Sequence, residues 1–326
     1  SSYTINSISV SSGLTAAGGN ATTGTLKLPN AIVNDVFTNP TIGPLTVTYN
    51  VTPVTGSCQG NALNIILTIT PEPVLSSTLN NSVCSGLVSG ITLNTIVTSV
   101  AANDYTINTI TVAGGLTAGG GNATTGAGKL ANAIVNDVFT NVTSGPLTVV
   151  YNITPVSAAG CAGNAANVTL TIDPSPVVST TLDATVCSDG INGITLNTNG
   201  TSVAASSYTI NTITVAGGLT AGGGNATTGP GKLSNAIVND VFTNVTSGPL
   251  TVVYNVTPVS AAGCVGSAQN ITLTVSPEPE LSTTLNATVC SDAVSGITLS
   301  TLVTSVAASS YTINSISVSS GLTAAG

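Results

Sequence analysis

Leu147–Ile153 reads LTVVYNI: Leu147, Val149, Tyr151 and Ile153 alternate with Thr148, Val150 and Asn152. Shortly after it, Val168, Leu170 and Ile172 alternate with Thr169 and Thr171. Successive side chains of an extended chain point to opposite faces. A period of two with polar partners therefore predicts antiparallel strands with one face buried and one in water. Ile194 and Leu196 belong to a further strand, and Tyr208 and Ile210 open another whose apolar phase slips to Ile213 and Val215, which predicts a bulge or bend. No stretch carries an apolar stripe of helical period. Short β-branched runs bounded by Gly, Pro and Asn turns, several within about 100 residues, predict an all-β fold of two packed sheets.

The same strings return along the chain. Tyr-Thr-Ile-Asn begins at Tyr3, Tyr105, Tyr208 and Tyr311, and Pro-X-Pro at Pro71, Pro174 and Pro277. Cys58, Cys161 and Cys264 keep the same spacing, as do Cys84, Cys187 and Cys290, which sets the unit at about 103 residues, a normal domain length. A longer period lies above it, because SSYTINSISVSSGLTAAG occupies both Ser1–Gly18 and Ser309–Gly326. This predicts a block of three domains that itself repeats, the chain being a window on a longer protein with neither signal peptide nor sorting tail in it. The unit holding Tyr49 and Cys58 is one residue shorter than its copies: Thr55-Gly56-Ser57 replaces Ser157-Ala158-Ala159-Gly160. A tolerated length change marks a surface turn between two strands.

Composition excludes several classes. Of 326 residues, 42% are hydrophobic, only 4% are charged and 3% aromatic, with no Trp, Met or His. Mean hydropathy is +0.49, yet Thr, Ser, Asn or Gly breaks every apolar run well before the roughly 18 residues a spanning helix needs. Disorder is excluded by the abundance of Val, Ile and Leu and by a net charge of only -8. Without His there is no Ser-His-Asp or Cys-His arrangement, and eleven acids with three basic residues make convergent titratable groups scarce. The reading is therefore not an enzyme, with no cofactor, no metal and no nucleic-acid partner.

Thr243–Pro279 (TNVTSGPLTVVYNVTPVSAAGCVGSAQNITLTVSPEP) and Thr288–Ser300 (TVCSDAVSGITLS) carry a resemblance. They resemble the PKD-like, immunoglobulin-like repeats of Bacteroidota giant cell-surface adhesins, the tandem arrays of SprB-type gliding adhesins. The likeness covers essentially the whole chain through its Val-Cys-Ser entry, Tyr-containing strand, Gly-Cys turn and Pro-X-Pro exit. It implies tandem immunoglobulin-like β-sandwich domains forming an extended fibre, an extracellular, cell-surface location, and outer-membrane motility or secretion machinery as partners. Neighbouring repeats and lateral copies of the fibre are further partners, and no transmembrane segment is expected. One departure is that Ile210 follows Tyr208 where such domains often carry Trp, so the core must rest on Ile, Val and Leu with Tyr151 and Phe139. On this resemblance the boundaries fall at Pro-X-Pro. They give the C-terminal part of a repeat domain at 1–72, complete domains at 73–175 and 176–278, and the N-terminal part of another at 279–326.

Six cysteines in a chain so poor in other reactive groups suggest disulfides and an oxidising compartment. Pairing Cys58 with Cys84 would need two sulfurs separated by some twenty extended residues to meet. The preferred pairing keeps each bond inside one domain, Cys84–Cys161 and Cys187–Cys264, and leaves Cys58 and Cys290 to partners outside the window. In a plain immunoglobulin topology, however, the first turn and the last hairpin lie at opposite poles. A third pairing therefore stays open, Cys84 of one domain with Cys264 of the next.

Other candidate sites read as structure. Gly114–Lys129 (GGLTAGGGNATTGAGK) looks like a phosphate loop but has Ala123 where the Walker pattern needs Gly and Leu130 where it needs Ser or Thr. It reads as a long flexible connection. Lys27, Lys129 and Lys232 precede Asn34-Asp35, Asn136-Asp137 and Asn239-Asp240, a spacing that raises a Lys–Asn isopeptide bond. An extended segment would hold those groups roughly 26 Å apart, so a solvated Lys and an Asp at a strand bend are expected. Calcium needs six to eight oxygens, which the scattered acids do not offer beyond a weak site at Asp189 or Asp292. Thirteen Asn-X-Ser/Thr strings, among them Asn20, Asn122, Asn141 and Asn225, arise readily in so Asn/Thr-rich a chain. The function these readings support is a stalk projecting a binding tip. The alternatives are a carbohydrate- or ice-binding module, or a strand-exchanged pilus or surface-layer subunit.

Overall fold

The computed structural model describes residues 2–323. Its contacts divide the chain into two units, Ser1–Val142 with Pro146–Asp173, and Thr143–Gly145 with Pro174–Gly326. Among the described residues there is no helix, so nothing is long and apolar enough in helical form to cross a membrane.

The first unit opens with β1 (Ser2–Val10), β2 (Thr15–Ala16), β3 (Gly24–Lys27), β4 (Phe37–Thr38), β5 (Leu45–Thr55), β6 (Cys58–Gln59) and β7 (Leu63–Ile69). The next repeat supplies β8 (Asn81–Cys84), β9 (Ala102–Val112), β10 (Leu116–Ala118), β11 (Gly126–Lys129), β12 (Phe139–Asn141), β13 (Leu147–Ser157) and β14 (Ala166–Asp173). Its main sheet runs β11-β9-β13-β14-β8. All neighbours are antiparallel except β8, which lies parallel to β14 with Leu170 opposite Asn81 and Asp173 opposite Cys84.

The second layer is built of short ribbons rather than long strands. β10 pairs with β12, and Val88 bridges Val138. Backbone N–H groups of Ser89, Gly90 and Leu93 donate to the carbonyls of Asp137, Val135 and Ala131. Between the layers pack Leu75, Leu79, Ile91 and Leu93 from the ribbon side and Tyr105, Ile107, Val149, Tyr151, Ile153, Val168, Leu170 and Ile172 from the sheet. Phe139 and Tyr151 are fully withdrawn from water, as the absence of Trp requires. The ribbon layer is what dries the sheet face. In β7, Ile65 and Leu67 match Val168 and Leu170 but are 41% and 38% exposed, because no counterpart of the Leu75–Leu93 ribbon covers them among the described residues.

The second unit repeats the plan with β15 (Ala184–Cys187), β16 (Ala205–Val215), β17 (Leu219–Ala221), β18 (Gly229–Lys232), β19 (Phe242–Asn244), β20 (Leu250–Ser260) and β21 (Gln269–Ser276), in the order β15-β21-β20-β16-β18. The phase slip after Ile210 is a β-bulge, where the register on β20 shifts between Ile210 and Thr212. The turn of variable length is also as expected: β13 ends at Ser157, and exposed Gly160 turns the chain with φ +80.

Three expectations need correction. The Gly114–Lys129 loop is not merely a connection, since it contributes β10 and β11. The segment after Lys129 is not extended: residues 131–136 form consecutive turns, with Ala133, Val135 and Asp137 each donating N–H to a carbonyl three positions back. Third, the preferred disulfides Cys84–Cys161 and Cys187–Cys264 are not formed, for Cys161 and Cys187 carry free thiols. The register explains why. Cys84 sits beside Asp173 at the end of β14, whereas Cys161 precedes the start of that strand. Eight extended residues hold those ends roughly 23 Å apart, far beyond disulfide reach.

Candidate functional site

Two constellations recur. The first is a polar lock inside each repeat. The Tyr151 hydroxyl donates to Asp137 Oδ2 at 2.6 Å, and Asp137 Oδ1 accepts the Ala123 N–H at 2.7 Å. Beside it, the Asn122 amide grips the backbone of Val138 twice, accepting its N–H at 2.9 Å and donating to its carbonyl at 2.8 Å. Tyr254, Asp240, Ala226, Asn225 and Val241 repeat the pattern, as do Tyr49, Asp35, Ala21, Asn20 and Val36. Burial pushes the carboxyls of Asp137 and Asp240 above the usual aspartate range, against the lowering effect of these donors. It also pushes the hydroxyls of Tyr151 and Tyr254 far up, with the facing carboxylates adding to the effect.

The expected bend aspartate is thus buried, and the expected solvated lysine is elsewhere: Lys129 Nζ donates to Thr124 Oγ1 at 3.2 Å. No isopeptide geometry arises. A signal for the lock lies in the sequence nonetheless, because Asp precedes Tyr by fourteen positions in all three copies although the turn after the Tyr-bearing strand changes length. Asp189 adopts a left-handed backbone, φ +61, and its carboxylate accepts the Thr243 hydroxyl. Among the described residues no group of three or more His, Cys, Asp or Glu converges, and no buried side-chain N or O atom lacks a hydrogen-bond partner.

The second constellation is the repeat junction. Beyond the main pairing of β13 with β14, the chain makes a narrow arm. Val156 bridges Ala162, Gly163 N–H donates to the Pro155 carbonyl, and Ser157 N–H donates to the Cys161 carbonyl. The tip of this arm lies on the incoming linker. A Cβ on Gly163 would stand 1.8 Å from the Pro73 carbonyl oxygen, so only glycine permits the approach. Gly266 meets the Pro176 carbonyl oxygen in the same way, at 1.9 Å. Pro71 and Pro73 are buried, and the chain then runs into the ribbon of Val74–Ser76 with Asn94–Ile96. Cys161 Sγ lies 2.8 Å from Thr70 Oγ1 at this junction.

Tandem all-β repeats, joined by packed prolines and with their buried polar groups hydrogen-bonded, define a tandem-repeat β protein. The chain belongs to the PKD-like domain family, which it matches three times in succession, over residues 5–73, 81–176 and 184–279. No curated protein matches the sequence. Among solved structures it is similar to human CDH23 EC21-23, with 13% identity, a TM-score of 0.29, and coverage of 84% of this chain and 88% of that one. Drosophila N-cadherin EC1-3 gives 12% identity, a TM-score of 0.22, and coverage of 85% and 89%. The protocadherin GammaB4 extracellular domain gives 10% identity, a TM-score of 0.27, and coverage of 83% of this chain; the chain spans 45% of that protein.

Proposed function

We propose that the chain is a structural, non-enzymatic stalk segment of a giant secreted cell-surface filament or adhesin of the Bacteroidota SprB type, holding a binding tip away from the cell for attachment or gliding. The observation that carries this reading is the junction. Successive PKD-like repeats are joined by Pro-X-Pro steps, and the Pro73 carbonyl is seated against Gly163 of the following repeat, so a flexible spacer has no place there. Proline restricts the backbone and suits a semi-rigid connection. The absence of His and the engagement of Asp137 and Tyr151 with each other support a non-catalytic role. Complete domains at 73–175 and 176–278, flanked by domain parts at 1–72 and 279–326, are the units of this stalk, and motility or secretion machinery at the outer membrane is its proposed partner. Electron images of the purified protein test the reading. Beaded threads support it, and compact globules with no thread overturn it.

A further inference from the structure

The chain contains two Asn-Gly pairs, Asn192-Gly193 and Asn199-Gly200, both in the repeat matched over 184–279. An asparagine followed by glycine is the amide most open to attack by the next backbone nitrogen, because glycine has no side chain to crowd that nitrogen. In a folded protein the attack also requires that the nitrogen and the amide be able to meet, and the two pairs differ there.

Asn192 is 3% exposed; its Oδ1 accepts the Ile194 N–H at 3.3 Å and its Nδ2 donates to the Tyr254 hydroxyl at 3.4 Å. The Asn192 N–H donates to the Asp240 carbonyl and the Gly193 N–H to the Val238 carbonyl, both at 2.8 Å. Amide and nitrogen are each pinned. Asn199 and Gly200 are both exposed, in a turn closed by the Ser202 N–H on the Asn199 carbonyl at 3.0 Å. Among the described residues no acceptor takes the Gly200 N–H, and a Cβ on Gly200 would meet no atom within 4 Å. Asn199 Oδ1 accepts from the Thr201 N–H at 3.3 Å and the Thr201 hydroxyl at 3.2 Å. This Asx turn folds the side-chain carbonyl back over the Gly200 peptide, and its two donors can hold the charge that gathers on Oδ1 when the carbon is attacked.

The fold needs neither residue at this turn. Ile96-Val97 and Leu302-Val303 hold the same place in the other copies. Ile96 N–H donates to Val74 and Leu302 N–H to Glu280, each at 2.9 Å, as Asn199 N–H donates to Val177 at 2.8 Å. We propose that Asn199 is a site of spontaneous deamidation, that Asn192 keeps its amide, and that conversion of Asn199 loosens the turn that holds Val177 at the start of this repeat.

In the reaction the Gly200 nitrogen gives its proton to a solvent base and bonds to Asn199 Cγ, and the side-chain nitrogen takes a proton and leaves as ammonia. Water then opens the cyclic imide. Cleavage of the N–Cγ bond gives aspartate. Cleavage at the main-chain carbonyl gives isoaspartate, whose chain runs through the former side chain and is one methylene longer. The sum is amide plus water to acid plus ammonia, with no electron transferred. In isoaspartate the former Asn199 carbonyl becomes a branch carboxylate. That carbonyl is the acceptor of the Ser202 N–H and, at 3.2 Å, of the Ser202 hydroxyl, whose oxygen in turn accepts the Val177 N–H at 3.2 Å.

For the test, the full chain is aged in mildly alkaline buffer made with heavy-oxygen water and cut after lysine, which leaves both pairs in the fragment 130–232. Tandem mass spectrometry places each lost amide, and isoaspartyl methyltransferase reports isoaspartate. Asn199 is expected to lose its amide and gain one heavy oxygen, largely as isoaspartate, while Asn192 in the same molecules stays intact. In denaturant the two amides are expected to be lost at comparable rates. Gly200→Val, the residue of the other copies, is expected to slow the loss at Asn199 more than about tenfold by crowding the nitrogen. Amide exchange at Ser202 and Val177 should quicken in the aged chain. An Asn199 that lasts as long as Asn192 in the folded chain, or a Gly200→Val variant that loses its amide as fast as the parent, overturns the site. An Asn192 that survives equally well in denaturant overturns its protection by the fold, and unchanged exchange at Ser202 after conversion overturns the loosening.

Discussion

The hydroxyl of Tyr151 on β13 donates a 2.6 Å hydrogen bond to the carboxylate of Asp137, fourteen positions earlier, and both side chains are buried. The bond ties the main sheet to the turn that starts the ribbon layer. Tyr151→Phe keeps the ring and removes the donor, leaving a buried carboxylate with one partner fewer. A loss of about 1–3 kcal/mol in the stability of that repeat is expected by denaturant unfolding. Asp137→Ala also strips the Ala123 N–H of its acceptor and is expected to cost more. A Tyr151→Phe variant as stable as the parent would remove the lock from the account of the fold.

The pH dependence follows from the raised groups. Asp137 and Asp240 hold their protons more tightly folded than unfolded. Their contribution to stability is complete below the ordinary aspartate value of about 3.9 and is lost as pH rises through the raised folded value. Denaturant midpoints should therefore fall as pH climbs from 4 towards neutrality, and Asp137→Asn with Asp240→Asn should flatten that slope. For Tyr151 and Tyr254 the raised value lies far above the ordinary one. Stability is intact below about pH 10 and declines above it, as tyrosines of the unfolded chain ionise. A midpoint unchanged across the acid range would contradict the first expectation, and undiminished stability well above pH 10 the second.

At the junction, Gly163→Ala and Gly266→Ala each drive a methyl group into a proline carbonyl. The backbone must move apart, and a cost of about 1–3 kcal/mol is expected, with faster proteolysis next to Pro73 or Pro176. Gly120→Ala and Gly223→Ala meet no atom within 4 Å and serve as controls, expected within about 0.5 kcal/mol of the parent. Equal effects in the two sets would mean that the clasp does not hold the linker.

Asn244 closes the end of the second unit's sheet. Its amide nitrogen donates to the carbonyls of Val275 at 2.8 Å and Gly248 at 3.0 Å, while its Oδ1 accepts from the backbone and hydroxyl of Thr246. Asn244→Ala leaves the carbonyl of fully buried Val275 without this donor, so a loss of about 1–3 kcal/mol is expected. Amide hydrogen exchange should show it first in the loop around Thr246. Unchanged protection of that loop would show that the Asn side chain is dispensable.

Much of this was legible before any coordinates. The alternation in Leu147–Ile153 and Val168–Ile172, the bulge after Ile210 and the turn after Ser157 were all visible, because local pattern dictates them. The ribbon layer was legible only in part: Ile194 and Leu196 read as a strand but lie in the ribbon outside every named strand, and Phe139 sits in a segment too short to show a period. Asp137 was misplaced because its segment was taken as extended, whereas its chain of turns folds the carboxylate inward. The cysteine pairing stayed open in the sequence because it depends on which strand end β8 occupies, and parallel pairing over some ninety residues leaves no trace in spacing.

That pairing also governs when a repeat can exist at all. β8, near the start of its repeat, docks on β14, at the end of the same repeat, and β15 docks on β21 in the same way. No sub-segment can close the sheet edge ahead of the rest, and contacts so distant in sequence make folding slow. A chain emerging from a ribosome or a secretion pore therefore keeps its newest repeat open and threadable until nearly all of that repeat has passed. While it waits, each open β8 faces neighbours of almost identical sequence, and docking on the wrong copy is the characteristic misfolding hazard of such arrays. Completion of the correct last strand is the step that commits each repeat to its own partner.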